Sequence, residues 1–197
     1  MIISTGIRTD IVNHYSDWLL ERFREGFVYT RNPLFPNRVT RYELHPDKVD
    51  AVLFCSKNYE PILSRLTEIT SHYRTFFHYT ITAYGNDIEP NIPPADDRVR
   101  TLQKLSRLVG RERLMWRFDP VFFTDSYPPE RILETFDRLA EQISDYVCGC
   151  SFGFVEAFFT LRTRLPDLLP LDNEIKHDFA RRLSSVAARH SLPLQTC

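Results

Sequence analysis

Apolar and polar positions follow two rhythms along this chain. Short apolar runs of five to seven residues recur, and between them apolar residues return every three or four positions. The first rhythm predicts strands and the second predicts amphipathic helices. Strands are expected over Met1–Thr5, Ala51–Cys55, Phe76–Thr82, Leu114–Phe118, Tyr146–Phe152 and Leu192–Cys197. The first helix is expected to start at an Asp10 cap, to carry Ile11, Tyr15, Trp18, Leu19 and Phe23 on one side, and to end at Gly26. A second carries Ile62, Leu63, Leu66, Ile69 and Tyr73. A third carries Val99, Leu102, Leu105 and Val109 and stops at Gly110. The fourth places Ile132, Leu133, Phe136, Leu139, Ala140 and Ile143 together. The last begins near Asp172 and aligns Ile175, Phe179, Leu183 and Val186. A short segment around Val155 to Leu165 lies between the fifth strand and this last helix.

One stretch breaks the alternation. Phe27–Thr30 and Val39–Leu44 are strand-like runs around the turn-rich segment Arg31–Asn37. They predict a β-hairpin inserted at about residues 27–45.

Strand followed by helix, repeated five or six times, is the pattern of a parallel α/β fold. No glycine-rich nucleotide turn follows the first strand, which favours a barrel over an open doubly wound sheet. Eight units need more residues than this chain has. The expected fold is therefore a partial or incomplete TIM-like (β/α) barrel with about six parallel strands, in a single domain over 1–197.

Composition narrows the function classes. The balance of 43% hydrophobic and 26% charged residues is that of an ordinary globular chain. A formal net charge of −1 supplies no global basic field, so nucleic acid is not favoured as a partner. No basic leader precedes an apolar run, and no apolar stretch reaches the ~20 residues that cross a bilayer. The expected compartment is the cytoplasm. Cys55, Cys148, Cys150 and Cys197 are the four cysteines. Cys55 reads as a small buried apolar residue, and the one-residue spacing of Cys148 and Cys150 is too short for a usual zinc or redox pair. The six histidines are scattered without metal-ligand spacing, so no metal site is expected.

In parallel α/β folds, ligands bind at the carboxyl ends of the strands. The polar residues expected there are Arg8 and Asp10, Lys57 and Asn58, Thr82 and Tyr84, Arg117 and Asp119, and Ser151, with Glu156 shortly after. Three cations, Arg8, Lys57 and Arg117, suit a phosphate or carboxylate, and Arg suits a two-pronged contact. Asp10, Asp119 and Glu156 are the candidates to carry a proton or orient those cations. The competing structural reading is that Arg8 with Asp10 and Arg117 with Asp119 are ion pairs, with both aspartates capping helices. Arg117 stands out, because an arginine inside an otherwise apolar strand needs a reason. A different surface is offered by the hairpin, where Arg31, Arg38 and Arg41 interleave with Tyr29, Phe35 and Tyr42. Such interleaving can hold a nucleic-acid strand, although a solvated face is the simpler reading.

Several stretches together resemble the bacterial domain of unknown function 1848 family. They are Thr5–Ile11, Arg31–Pro33, Val39–Leu44, Ser56–Asn58, Thr80–Gly85, Ile88–Pro93 and Trp116–Pro120, in that order. The resemblance implies a domain that longer members follow with a C-terminal cysteine cluster. That cluster looks like the one by which radical S-adenosylmethionine enzymes hold a [4Fe–4S] centre. No three-cysteine motif occurs here, so neither cofactor is expected in this chain, while both are possible in a longer form. The implied function is the barrel of a radical-S-adenosylmethionine-like enzyme that binds an anionic ligand. The alternatives are a non-catalytic binder of a small phosphate or carboxylate, and a nucleic-acid binder that uses the hairpin. The pattern says nothing of the oligomeric state.

Overall fold

Strands and helices alternate as the two rhythms require, in a computed structural model that describes residues 1–6, 8–156, 165 and 167–196. In chain order they are β1 (Ile2–Ser4), α1 (Ile11–His14), α2 (Ser16–Glu25), β2 (Phe27–Arg31), β3 (Val39–Glu43), β4 (Ala51–Ser56) and α3 (Thr67–Thr70). There follow β5 (Thr75–Thr80), α4 (Ala95–Val109), β6 (Leu114–Val121), α5 (Pro129–Ile143), β7 (Gly149–Phe154), α6 (Asn173–Arg189) and β8 (Leu194–Thr196). Six strands make a parallel sheet in the order β1-β4-β5-β6-β7-β8, and β2 and β3 pair separately. The chain divides into two compact units, Met1–His78 and Tyr79–Cys197.

In the first unit, Asp10 accepts the Asn13 N–H at 2.9 Å and so caps α1, as its side chain is suited to do. The single long helix expected after it is two. Tyr15, at φ −139° and ψ 35°, leaves helical geometry and ends α1, yet its carbonyl accepts the Leu19 N–H and starts α2. Gly26 ends α2 at φ 77°, and a side chain there would fall on the His45 ring. The reversal delivers the chain into the β2–β3 ribbon, whose base is closed by Leu44 N–H on the Gly26 carbonyl at 2.7 Å. The expected helix over Ile62–Tyr73 is shorter. It consists of a 3₁₀ turn at Leu63–Arg65 and the four-residue α3. Its apolar residues still serve the core, because Ile62, Leu66 and Ile69 are fully buried with Val52 and Phe54 of β4 and Phe77 of β5. Phe54 and Phe77 lie stacked with centroids 4.9 Å apart.

In the second unit, α4 and α5 bury the apolar stripes read from the sequence. Pro129 sits in the first turn of α5, where its missing N–H is no loss. Trp116 of β6 lies flat against Phe136 of α5, centroids 4.7 Å apart, and its Nε1–H donates to the Ile81 carbonyl at 2.9 Å. Phe118 meets the same ring edge-on at 5.0 Å. β7 begins later than expected, since Ser144–Tyr146 winds into a 3₁₀ turn before Gly149. Asp172 caps α6 by accepting the Ile175 N–H at 2.8 Å. The helix buries Phe179, Leu183 and Ala187, while Ile175 is exposed. Asp137 of α5 ties down the far end of α6 through Arg189 at 2.9 Å and His190 at 2.6 Å. Most of the segment expected around Val155–Leu165, and Cys197, lie outside the described residues. Among the described residues no helix is long and apolar enough to cross a membrane.

Replacing Trp116 with alanine should cost about 3–5 kcal/mol, because the indole is fully buried and its hydrogen bond is lost as well. Urea unfolding of Trp116→Ala measures it. A loss below about 1 kcal/mol would show that β6 does not anchor this core.

Candidate functional site

Two groups of polar side chains form, one in each unit. The first lies at the end of β4. The second lies within β6 and β7, which run on to Val121 and Phe154 and so place Arg117 and Ser151 mid-strand rather than at the expected strand ends. In the first, Asp10 organises the group. Its Oδ1 accepts the Asn13 N–H, and its Oδ2 accepts both the Ser56 hydroxyl and the Lys57 backbone N–H at 2.9 Å. Asn58 completes it by donating from Nδ2 to Asn13 Oδ1 at 2.9 Å and accepting the Glu60 N–H at 3.1 Å. Asp10 therefore joins the end of β4 to the start of α1, and three donors occupy its two oxygens. The Arg8 guanidinium takes another direction and donates to the Arg31 carbonyl of the ribbon at 2.7 Å. Of the competing structural reading, the Asp10 helix cap is present, while Arg8 is turned to the Arg31 carbonyl instead of Asp10.

In the second unit the decisive feature is alternation along β6. Trp116 and Phe118 face α5, so Arg117 and Asp119 face the other way. The Arg117 guanidinium lies 2.5 Å from the Asp119 carboxylate, and the side chains are 32% and 19% exposed. Residues paired across a parallel ladder share a face, and Arg117 pairs with Ser151, which pairs in turn with Gln195 of β8. The Ser151 hydroxyl is buried and has no hydrogen-bond partner among the described residues. Arg117, Asp119 and Ser151 thus make a polar strip on the sheet face opposite α5.

The other expected residues are bound into the structure around that strip. Thr82 donates its hydroxyl to Glu89 at 2.8 Å. Tyr84 stacks on Phe122 at 4.1 Å, donates to the Phe122 carbonyl at 3.0 Å and accepts its N–H at 2.8 Å. Burial pushes the Tyr84 phenol up, so it holds this loop as a neutral donor. Glu156 is exposed, next to the undescribed residues 157–164.

Sequence reasoning passed over two contacts here. Arg98 of α4 is 3% exposed and pairs with Glu89 at 3.5 Å, while its Nε has no partner among the described residues. Burial lowers the Arg98 pKa and Glu89 opposes that shift. A signal existed, since Arg98 stands four residues before Leu102 on the apolar stripe of its helix. Tyr127 donates to Asp87 at 2.6 Å and accepts the Gly85 N–H at 3.0 Å, closing the same loop. Nothing in the local sequence of that loop announces either partner.

The thiols are arranged for packing. Cys150 is fully buried and pairs in register with Trp116, which places it on the helix-covered face. Cys148, half-buried, has its thiol pKa pushed up by burial. Among the described residues no three His, Cys, Asp or Glu side chains come close enough to hold a metal ion. These residues do not fit an iron–sulfur cluster.

Comparison with known proteins places the chain. It belongs to the family described as Domain of unknown function (DUF1848), whose model matches residues 2–197. No curated protein sequence matches it. Among solved structures it is similar to spore photoproduct lyase complexed with dinucleoside spore photoproduct, with a TM-score of 0.64 and 14% identity. A doubly substituted form of that lyase, with AdoMet and dinucleoside spore photoproduct bound, is similar at a TM-score of 0.63 and 14% identity. In both cases the match covers all of this chain and 60% of the lyase chain. At this identity the likeness shows the fold.

Removing Glu89 strands a buried guanidinium. Glu89→Leu should lose about 3–5 kcal/mol in chemical denaturation, and the double change Glu89→Leu with Arg98→Leu should recover most of it. A double variant no more stable than the single one would refute the pairing.

Proposed function

We propose that this member of the family binds a small phosphate or carboxylate on the strip formed by Arg117, Asp119 and Ser151, within an incomplete barrel of the radical-S-adenosylmethionine type. The observation that carries this reading is the Ser151 hydroxyl. A buried hydroxyl without a partner costs about 1–3 kcal/mol, and a ligand oxygen beside it removes that cost. Arg117, its neighbour in register, supplies positive charge, and Asp119 orients the guanidinium. The strip crosses the middle of β6 and β7, on the sheet face opposite α5.

Of the three carboxylates considered for proton transfer, Asp119 is the best placed. It borders the strip and is part-exposed, whereas the Asp10 oxygens are engaged by three donors. Likeness of fold to an enzyme that binds AdoMet supports the radical-type reading. The described residues do not fit a cluster. Radical chemistry belongs to the proposal only for a protein that joins a cysteine triad and S-adenosylmethionine to this domain.

A thermal-shift panel of inorganic phosphate, nucleoside monophosphates, sugar phosphates and dicarboxylates tests the site. A ligand at 100 times its Kd adds about 2.7 kcal/mol. That corresponds to a rise of roughly 5–10 °C for a chain of this size. Arg117→Gln should abolish the rise, and Arg117→Lys should reduce it because the fork is lost. Ser151→Ala should be at least as stable as the parent without ligand, yet respond less to it. An equal rise in Arg117→Gln, no rise in the parent, or a destabilised Ser151→Ala would overturn the assignment.

A further inference from the structure

The β2–β3 ribbon has an inner and an outer face, and the outer one carries unusual chemistry. Its register pairs Phe27 with Glu43, Val28 with Tyr42, Tyr29 with Arg41, Thr30 with Thr40 and Arg31 with Val39. Cross-strand partners share a face, so Val28, Thr30 and Tyr42 lie together. With Ile3, Trp18 and Phe23 they line an apolar groove of about 260 Å³ within the first unit. The opposite face carries Phe27, Tyr29, Arg31, Val39, Arg41 and, at its base, Glu43. Tyr29 is 60% exposed there. Each of two guanidiniums covers a ring, Arg41 over Phe27 at 4.5 Å and Arg38 over Phe35 at 4.9 Å.

The charge is one-sided as well. From Phe27 to Tyr42 the chain holds three arginines and no acidic residue, and Glu43 at the base pairs with Arg41. The tip is held in shape before anything binds. Asn32 Oδ1 accepts the Leu34 and Phe35 N–H groups at 2.9 and 3.1 Å, and Arg8 grips the Arg31 carbonyl. Preorganisation of this kind lowers the ordering cost of a partner.

We propose that this outward face binds single-stranded nucleic acid. Along β2, Tyr29 and Arg31 stand about 6.6 Å apart on one side, a ring followed by a cation. A ring can stack on any base, and a guanidinium meets a phosphate. The net charge of −1 for the whole chain conceals this local surface, where Arg31 and Arg38 add to the Arg41–Glu43 pair and no other acid lies between Phe27 and Tyr42. A second copy of the chain fits poorly, since a symmetric contact would set the same three arginines against one another. A lipid surface fits less well than a strand, because cations and rings alternate along the face where an inserting ridge would be continuously apolar.

Fluorescence anisotropy of labelled 12-residue oligo-dT and oligo-U with the full chain tests the proposal. Binding is expected at about 20 mM salt and should weaken steeply as salt rises. Tyr29→Ala should weaken it about 5- to 150-fold, the range for loss of one stacking ring. The double change Arg31→Gln with Arg38→Gln should flatten the slope of log K against log salt by about 1.4, since each phosphate contact contributes about 0.7. Far-UV circular dichroism and thermal unfolding of both variants should match the parent, as these side chains are exposed. Three results would each overturn the proposal. They are no binding at low salt, binding that both variants keep unchanged, and stronger capture of phosphatidylserine vesicles than of the oligonucleotides.

Discussion

Trp116 lies flat on Phe136, and the orientation of the β6 side chains from Leu114 to Phe118 follows from that contact. A strand sends successive side chains to opposite faces. With Trp116 and Phe118 sealed against α5, Arg117 and Asp119 have only the other face to occupy. The ladder to β7 then sets Ser151 beside Arg117, because a slip of one residue would turn Ser151 toward the helix and Cys150 away from it. Aromatic packing on one face thus specifies the polar strip on the other. Changes to the apolar side would disturb the strip without touching it.

Around this sheet, charge is handled by committed pairs rather than by a general field. Asp10 spends both oxygens joining β4 to α1, and Glu89 neutralises Arg98 beneath the loop that follows β5. Such pairs are expensive to break and contribute little by existing. Arg117 is held by Asp119 at the strip, and on the ribbon arginines lie over aromatic rings. The proposed partners differ accordingly, a compact anion at the strip and an extended one along the ribbon.

Much of the fold was legible because it rests on periodicity. The six sheet strands and the ribbon came from apolar runs, and α4, α5 and α6 from three- and four-residue spacing. Failures were local. Tyr15 kept the helical spacing of its neighbours yet left helical geometry, and the apolar residues from Ile62 to Tyr73 serve the core from a turn and a short helix. Burial demands only that these side chains face inward, which a 3₁₀ turn also allows. Within the candidate site, Arg117 could be picked out because a cation within an apolar strand is conspicuous. The partners of Thr82 and Tyr84 could not, since Glu89 and Phe122 reach them through loop geometry that no local pattern encodes. Arg8 shows the same limit, because its type suited an anion while its position gave it to the Arg31 carbonyl.

The central claim is that β6 shows a sealed face and an accessible one. Cysteine accessibility reads this directly. Arg117→Cys and Phe118→Cys can be exposed to a thiol reagent under native conditions, and modification at each site followed by peptide mass spectrometry. The account predicts rapid modification at position 117 and protection at position 118 until the chain unfolds. Equal rates, or faster modification at 118, would contradict it.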